Sequence, residues 1–199
     1  MKEERKSMLI VISGPSGVGK GTIFKRLLDN DKSLTFSVSV TTRKPRIGEK
    51  DGVDYFFITD EEYRELLEKD AFLEHATVHD HGYGTLKSQI KEKMSQGKNV
   101  VLDIDPQGAR QVMAKWPDCV SIFLLPPSYQ SLHDRLYGRN TEAPEVIERR
   151  LNNARGEIES AGLYQYNIVN DDLELACAQA AAIITAEKQR TNRYFPVVE

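Results

Sequence analysis

Four short apolar runs punctuate the chain, at residues 8–13 (MLIVIS), 99–105 (NVVLDID), 119–125 (CVSIFLL) and 166–169 (YNIV). Each is too short for a helix and lacks strict apolar–polar alternation, which predicts strands buried on both faces. After the first come glycines and then Ile23, Phe24, Leu27 and Leu28 at helical spacing. Pro- or Gly-bearing turns and helical patterns at 107–115 and 128–137 follow the next two, and a pattern from about 172 to 188 follows the last. Apolar strands alternating with amphipathic helices predict an α/β chain with a parallel sheet covered on both faces.

Two segments break this rhythm. Residues 37–89 are dense in Thr, Gly, Tyr and Phe, with alternating stretches such as 53–58, and read as a small insert with short strands. Residues 138–155 carry Arg139, Arg149, Arg150 and Arg155 among acidic neighbours and read as a mobile, partly helical arm. The expected division is a core of 1–36, 90–137 and 156–199, an insert of 37–89 and a lid of 138–155. No repeat or low-complexity linker interrupts it.

A length of 199 residues suits one sizeable core carrying such inserts. Hydrophobic residues make up 40% and charged residues 29%, ordinary for a soluble globular chain. The net charge of -3 argues against nucleic acid or anionic membrane as a partner, while leaving room for a local basic pocket. Cys119 and Cys177 lack a CxxC spacing and read as small hydrophobes in a reducing compartment. The start, MKEERKSM, has no apolar signal region, and no apolar run approaches the ~18 residues that span a bilayer, so a cytoplasmic location is expected. His75, His79, His81 and His133 share no metal-ligand spacing. Nothing fixes the oligomeric state, a homo-oligomer included.

The chemistry begins directly after the first strand, in SGPSGVGKGT. Here G-x-x-x-x-G-K runs from Gly14 to Lys20 between a strand and a helix, the setting of a phosphate-gripping loop. Successive backbone N–H groups at a helix N-terminus form a concave anion site. Gly14, Gly17 and Gly19 allow close approach, through Pro15, Ser16 and Val18, and Lys20 adds a point charge for terminal phosphates. The next residue, where a Ser or Thr hydroxyl would meet magnesium, is Gly21. The metal is then expected to be held by nucleotide oxygens and water, and Thr22 remains able to donate to a phosphate. A second anion site is suggested by Arg43 and Arg46, which flank Pro45 and precede Tyr55: paired guanidinium forks and a hydroxyl suit a phosphate monoester. Taken alone, the pair reads as solvated surface charge.

Nearly the whole chain resembles the guanylate kinase family. The motifs SGPSGVGKGT, SVSVTTRKPRIGEKDGVDYFF, FLEHA, HGYGT, VVLDIDPQGA, LPPS, GRNTE and VNDDLE occur in the family's order. The resemblance implies a P-loop NTPase-type fold with a small mixed β/α nucleotide-binding insert and a lid. It implies Mg²⁺-dependent transfer of phosphate from ATP to GMP, with dGMP a further acceptor, in guanine nucleotide recycling. By residue, it implies that Arg43, Arg46, Tyr55 and Tyr83 clamp the GMP phosphate while Ser39, Glu74 and Thr85 read guanine. Asp103 falls near the metal and its waters, with no protein ligand assigned to the ion directly, and Asp105 falls on the GMP side. Arg135, Arg139 and Arg150 match lid arginines that close over the phosphates, and Asn170 matches a contact at the adenine end of ATP. Asn140 stands where many relatives carry Gly, and Leu86 where they carry Pro or Ser. Whether Arg149 or Arg150 meets phosphate depends on helix register.

The chemistry of guanine supports the role of Glu74 independently. N1–H and the exocyclic amine lie side by side as two donors, and one carboxylate accepts both; adenine would leave it half unpaired. Outside its motif, Glu74 reads equally well as a solvent-facing strand residue. Two rivals remain at this stage: a guanylate-kinase-like protein-binding module, and a kinase of the same fold with another phosphorylated acceptor. The first should have lost the loop lysine or the arginines, and the second has no use for Glu74, Ser39 and Thr85.

Overall fold

The structure, a computed structural model, describes residues 5–78, 80–138 and 144–196, with only the backbone of Val78. Strands β1 (Leu9–Ser13), β2 (Leu34–Phe36), β7 (Asn99–Asp103), β8 (Val120–Leu125) and β9 (Tyr166–Val169) form one sheet in the order β2-β7-β1-β8-β9. Every pairing in it is parallel, with Leu9 opposite Val100 and Ile10 opposite Val120. Successive side chains of β1 point to opposite faces, and each face has its own core. Ile10 and Ile12 pack with Ile23 and Leu27 of α1 (Lys20–Asn30) and Ala180 and Ile184 of α7 (Leu173–Lys188). Leu9 and Val11 pack with Ile90 of α3 (Lys87–Ser95) and Ala109 and Val112 of α4 (Pro106–Lys115). Burial on both faces is why the strands read as continuous apolar runs. Cys119 is buried and Cys177 half-buried, and both are free thiols. No helix among the described residues is long and apolar enough to cross a membrane.

The segment expected as an insert builds a second sheet, β4-β3-β6-β5, from β3 (Val40–Thr41), β4 (Phe56–Phe57), β5 (Phe72–Val78) and β6 (His81–Leu86). Its own core is Val40, Tyr63 and Phe72, the tyrosine coming from α2 (Asp60–Glu68). Thr59 and Glu62 close a reciprocal capping box at the start of that helix. The alternating stretch 53–58 contributes only the two-residue β4, because Asp54 turns back to accept from the Lys50 N–H at 2.7 Å. Helix α3 begins at Lys87, inside the expected insert, and packs Ile90 into the main core.

Helix α5 (Tyr129–Tyr137), at the end of the segment expected as core, and α6 (Pro144–Glu159), in the expected arm, pack on each other through a small core of Leu132, Leu136, Ile147 and Ala154. The arm's helix extends past the expected limit at 155 as far as Glu159. In a parallel sheet, ligands bind at the carboxyl ends of the strands, where crossovers diverge. Here that edge holds the loop after β1, the end of β7 at Asp103, and Asn170 just after β9.

Candidate active site

From Ser13 the chain enters the loop and turns directly into α1. Gly14, Gly17 and Gly19 have φ of 147°, 84° and 99°, in the range that favours glycine. A Cβ at Gly14 would fall 2.5 Å from the Leu124 carbonyl oxygen, and one at Gly19 would fall 2.5 Å from Asn170 Nδ2. Gly19 is also the N-cap of α1, which no side chain caps; the Thr22 N–H turns back to Gly19 O at 3.2 Å, and the N–H groups of Lys20 and Gly21 ahead of it face the helix's positive end, where an anion is favoured.

The loop is braced from behind. Val18 O accepts from Asn170 Nδ2 at 2.7 Å and from Arg135 Nη1 at 3.4 Å, while Arg135 Nη2 donates to Asn170 O at 2.8 Å. Arg135 and Asn170, which the resemblance assigns to nucleotide contacts, therefore spend these groups holding the loop's main chain. Lys20 curls over the loop, its Nζ donating to Gly14 O at 2.7 Å and Pro15 O at 3.3 Å. Burial lowers the pKa of this ammonium, and the carboxylates of Asp103, Glu157 and Asp105 oppose the shift. Position 21 faces Asp103: a Cβ there would lie 3.9 Å from Asp103 Oδ2. Thr22 is exposed one residue further on.

Opposite the loop, a cavity of about 300 Å³ is lined by Ser39, Tyr55, Glu74, Tyr83, Asp103 and Asp105 among others. Glu74 is only 6% exposed, which removes the solvent-facing reading. Thr85, also buried, donates its hydroxyl to Glu74 Oε1 at 2.5 Å. Burial pushes the Glu74 carboxyl up; the Thr85 hydroxyl opposes the shift and Asp105 adds to it. Asp105, expected as a strand end, is the N-cap of α4 and accepts from Gly108 N at 2.7 Å. Arg43 is held bidentately by Glu49, at 3.0 and 2.9 Å, with Tyr55 and Phe57 ring centroids 5.5 and 5.8 Å away. The Arg46 N–H donates to the same carboxylate at 2.7 Å, and the Arg46 side chain is exposed. Tyr55 and Tyr83 meet edge to face with centroids 5.9 Å apart.

On the arm, Ile147 and Ala154 face inward, which sets the register of α6: Arg150 is half-buried and Arg149 exposed. Arg150 lies within charge range of both Lys20 and Glu157. His79, Arg139 and Asn140 lie outside the described residues.

A glycine-rich loop at a helix N-terminus and a buried carboxylate in a cavity lined by Tyr55, Tyr83, Asp103 and Asp105 thus lie on one side of the molecule, with Asp103 and Asp105 within charge range of the loop's Lys20. The guanylate kinase family model matches residues 6–187. This chain belongs to the guanylate kinase family. A guanylate kinase of Caldanaerobacter subterraneus subsp. tengcongensis is 48% identical over 193 residues, which cover 97% of this chain and 94% of that protein. The crystal structure of guanylate kinase from Anaplasma phagocytophilum superposes with a TM-score of 0.77 at 34% identity, covering 96% of this chain and 92% of that one. The SH3-kinase fragment of tight junction protein 3 shares the fold alone, with a TM-score of 0.55, 10% identity, and coverage of 100% and 63%.

Two site residues of this guanylate kinase family member were not anticipated from its sequence. Glu49, six positions after Arg43, offers the fork two oxygens as a phosphate does. Glu157, near the end of α6, is set beside the Ser16 amide of the loop, and among the described residues its buried Oε2 has no hydrogen-bond partner. Both are ordinary polar residues in sequence, distinguished only by the arginine or amide that folding sets beside them.

Proposed function

We propose that this chain transfers the γ-phosphoryl group of ATP to GMP, giving ADP and GDP. The observation that carries this reading is the buried Glu74 carboxylate, held by Thr85 in a cavity shared with Asp103 and Asp105, whose charges reach Lys20 of the loop. In this reading the loop amides and Lys20 hold the donor phosphates. Arg43, Arg46, Tyr55 and Tyr83 hold the acceptor phosphate, while Ser39, Glu74 and Thr85 select guanine. Arg43 must exchange the Glu49 carboxylate for phosphate, an exchange between two bidentate partners of similar geometry.

Phosphoryl transfer asks the protein for alignment and for neutralised charge rather than a strong base. Lys20 sits at the donor end and Arg150 approaches from the arm, while the role expected of Arg139 rests on the resemblance alone. Arg135 and Asn170 act on the donor by fixing the shape of the loop. The arm carrying α6 excludes water, which would otherwise divert the γ-phosphoryl group to hydrolysis.

The residues present fit a magnesium ion carried by the nucleotide. Asp103 faces the first turn of α1 across position 21, where a glycine leaves space for water. Asp103 would hold the ion through such water, and Thr22 would support the phosphates. When bound, the ion supplies further neutralisation of phosphate charge.

With purified protein, ATP and Mg²⁺, ADP release is expected to be rapid with GMP and slow with AMP, CMP or UMP. Equal rates across that panel would defeat the reading. Because the Glu74 pKa is raised, protonation should remove its pairing with the guanine donors as pH falls. The KM for GMP is therefore expected to rise on acidification, with a midpoint above the ordinary carboxyl value of 4.5. Steady-state kinetics in GMP across pH, at saturating ATP, tests this; a KM flat down to that value would contradict it. The stability contribution has the opposite sign: burying an ionised Glu74 costs stability as pH rises through its folded pKa.

A further inference from the structure

Strand β5, which carries Glu74, is the edge strand of its sheet, so one side of its backbone has no strand partner. Helix α4 covers that side. Gln111 Nε2 donates to His75 O at 2.7 Å, and His75 N donates to Gln111 Oε1 at 3.2 Å. A side-chain amide has one donor end and one acceptor end, so Gln111 pairs with the His75 backbone as a neighbouring strand would. One turn further on, Lys115 Nζ donates to Phe72 O at 3.3 Å. One turn earlier, a Cβ on Gly108 would fall 2.7 Å from Glu74 Oε2 and 3.3 Å from its Cδ. Positions 108, 111 and 115 lie on one face of a helix.

The packing beneath repeats this pattern. The pairing of β5 with β6 shifts register between Phe72 and Glu74, a bulge that re-aims successive side chains. Leu73 drops into the main core with Ala109 and Val112 of α4. Glu74 follows it, pressed toward the bare backbone at Gly108. The same helix begins at Asp105, whose carboxylate caps it from within the cavity.

We propose that Gln111, with the bare Gly108 beside it, is a positioning device for guanine selection. It fixes the Glu74 carboxylate to the core helix, while the arginines that grip the acceptor phosphate lie across the insert sheet. The inference rests on the proposed reading of Glu74 as the group that pairs with guanine. Loss of the clamp lets β5 and Glu74 shift without touching the loop, so base selection suffers and the donor site does not.

The test compares kcat/KM for GMP and for IMP, whose base keeps N1–H but lacks the exocyclic amine. Gln111→Met preserves side-chain length and removes both hydrogen bonds. It is expected to lower the GMP-to-IMP ratio about tenfold, the scale of one hydrogen bond to a charged group, with the KM for ATP unchanged. Gly108→Ala favours the helix, yet should lower the same ratio by pushing Glu74 aside. Thermal unfolding separates these effects from lost stability, which lowers both substrates together. A wild-type chain that prefers GMP, with variants that keep the ratio or lose both substrates equally, would overturn the clamp and leave the proposed function standing. A wild-type chain indifferent between GMP and IMP would overturn both the clamp and the reading of Glu74 as the group that pairs with guanine.

Discussion

Replacing Lys20 with alanine is expected to reduce kcat about a thousandfold while leaving the fold in place. In the proposed reading the ammonium is a preorganised positive charge for the donor phosphates, set where burial lowers its pKa. Removing one such group from a phosphoryl or acyl transfer site costs about 10²–10³ in rate. In the folded chain the ammonium ties to Gly14 O and Pro15 O, so alanine loses two hydrogen bonds. It also ends the cost of holding a charge where burial disfavours it, so the two effects on stability oppose one another. The loop's shape does not depend on Lys20, since Asn170 and Arg135 hold Val18 O from the other side. Initial-rate assays beside thermal unfolding decide the matter. Turnover within tenfold of the parent would exclude the lysine from the mechanism, and collapse of the fold would show that it serves structure instead.

The parallel core is the part most openly written in the sequence. Strands β1, β7 and β8 are apolar on both faces because both faces are packed, and such runs have few other interpretations. By contrast, β2 is three residues long, with Leu34 buried and Phe36 exposed. It exists because β7 offers it an edge, which no local pattern announces. Helix α3 has Ile90 as its only fully buried residue, so its sequence gives little periodicity to read. Asp105 looked like the end of a strand because it follows an apolar run; Pro106 at the first helical position, with Gly108 N within reach, makes it a cap.

The site divides along the same physical line. The glycine-rich loop is legible because its backbone angles and close contacts restrict residue choice at fixed spacings. The geometry around Arg43 and Glu74 is made by tertiary pairing, which leaves no period. Glu49 reaches Arg43 across an irregular turn, and Gln111 reaches β5 from a helix on another layer. Each would pass for a solvated polar residue until the fold sets an unpaired fork or a strand edge beside it. Arg149 and Arg150 illustrate the intermediate case: two adjacent arginines are equivalent in a string, and Ile147 and Ala154 separate them once the buried face of α6 is known.

Exchanging Glu74 for glutamine is expected to lower kcat/KM for GMP by about a hundredfold and to turn the base preference toward IMP. In the proposed reading the carboxylate presents two acceptors to guanine's two donors. An amide presents one acceptor and one donor, so a charged hydrogen bond is lost and a donor is left facing a donor. A hydrogen bond to a charged group is worth about 1.5–3 kcal/mol, and leaving a buried donor unpaired costs about 1–3 kcal/mol, so two orders of magnitude is a conservative sum. Hypoxanthine has no amine at that position, so IMP escapes the conflict and its kcat/KM should fall less. Thr85 can donate to the amide oxygen or accept from the amide nitrogen, so the new side chain keeps a partner inside the protein in either orientation. Burial already disfavours the ionised carboxyl, and the neutral amide should therefore leave the unfolding temperature equal or higher. Parallel titrations of GMP and IMP at saturating ATP, with the unfolding midpoint measured on the same preparation, would register all three effects. An unchanged ratio between the two nucleotides, in a variant as stable as the parent, would mean that the base is read by some other group.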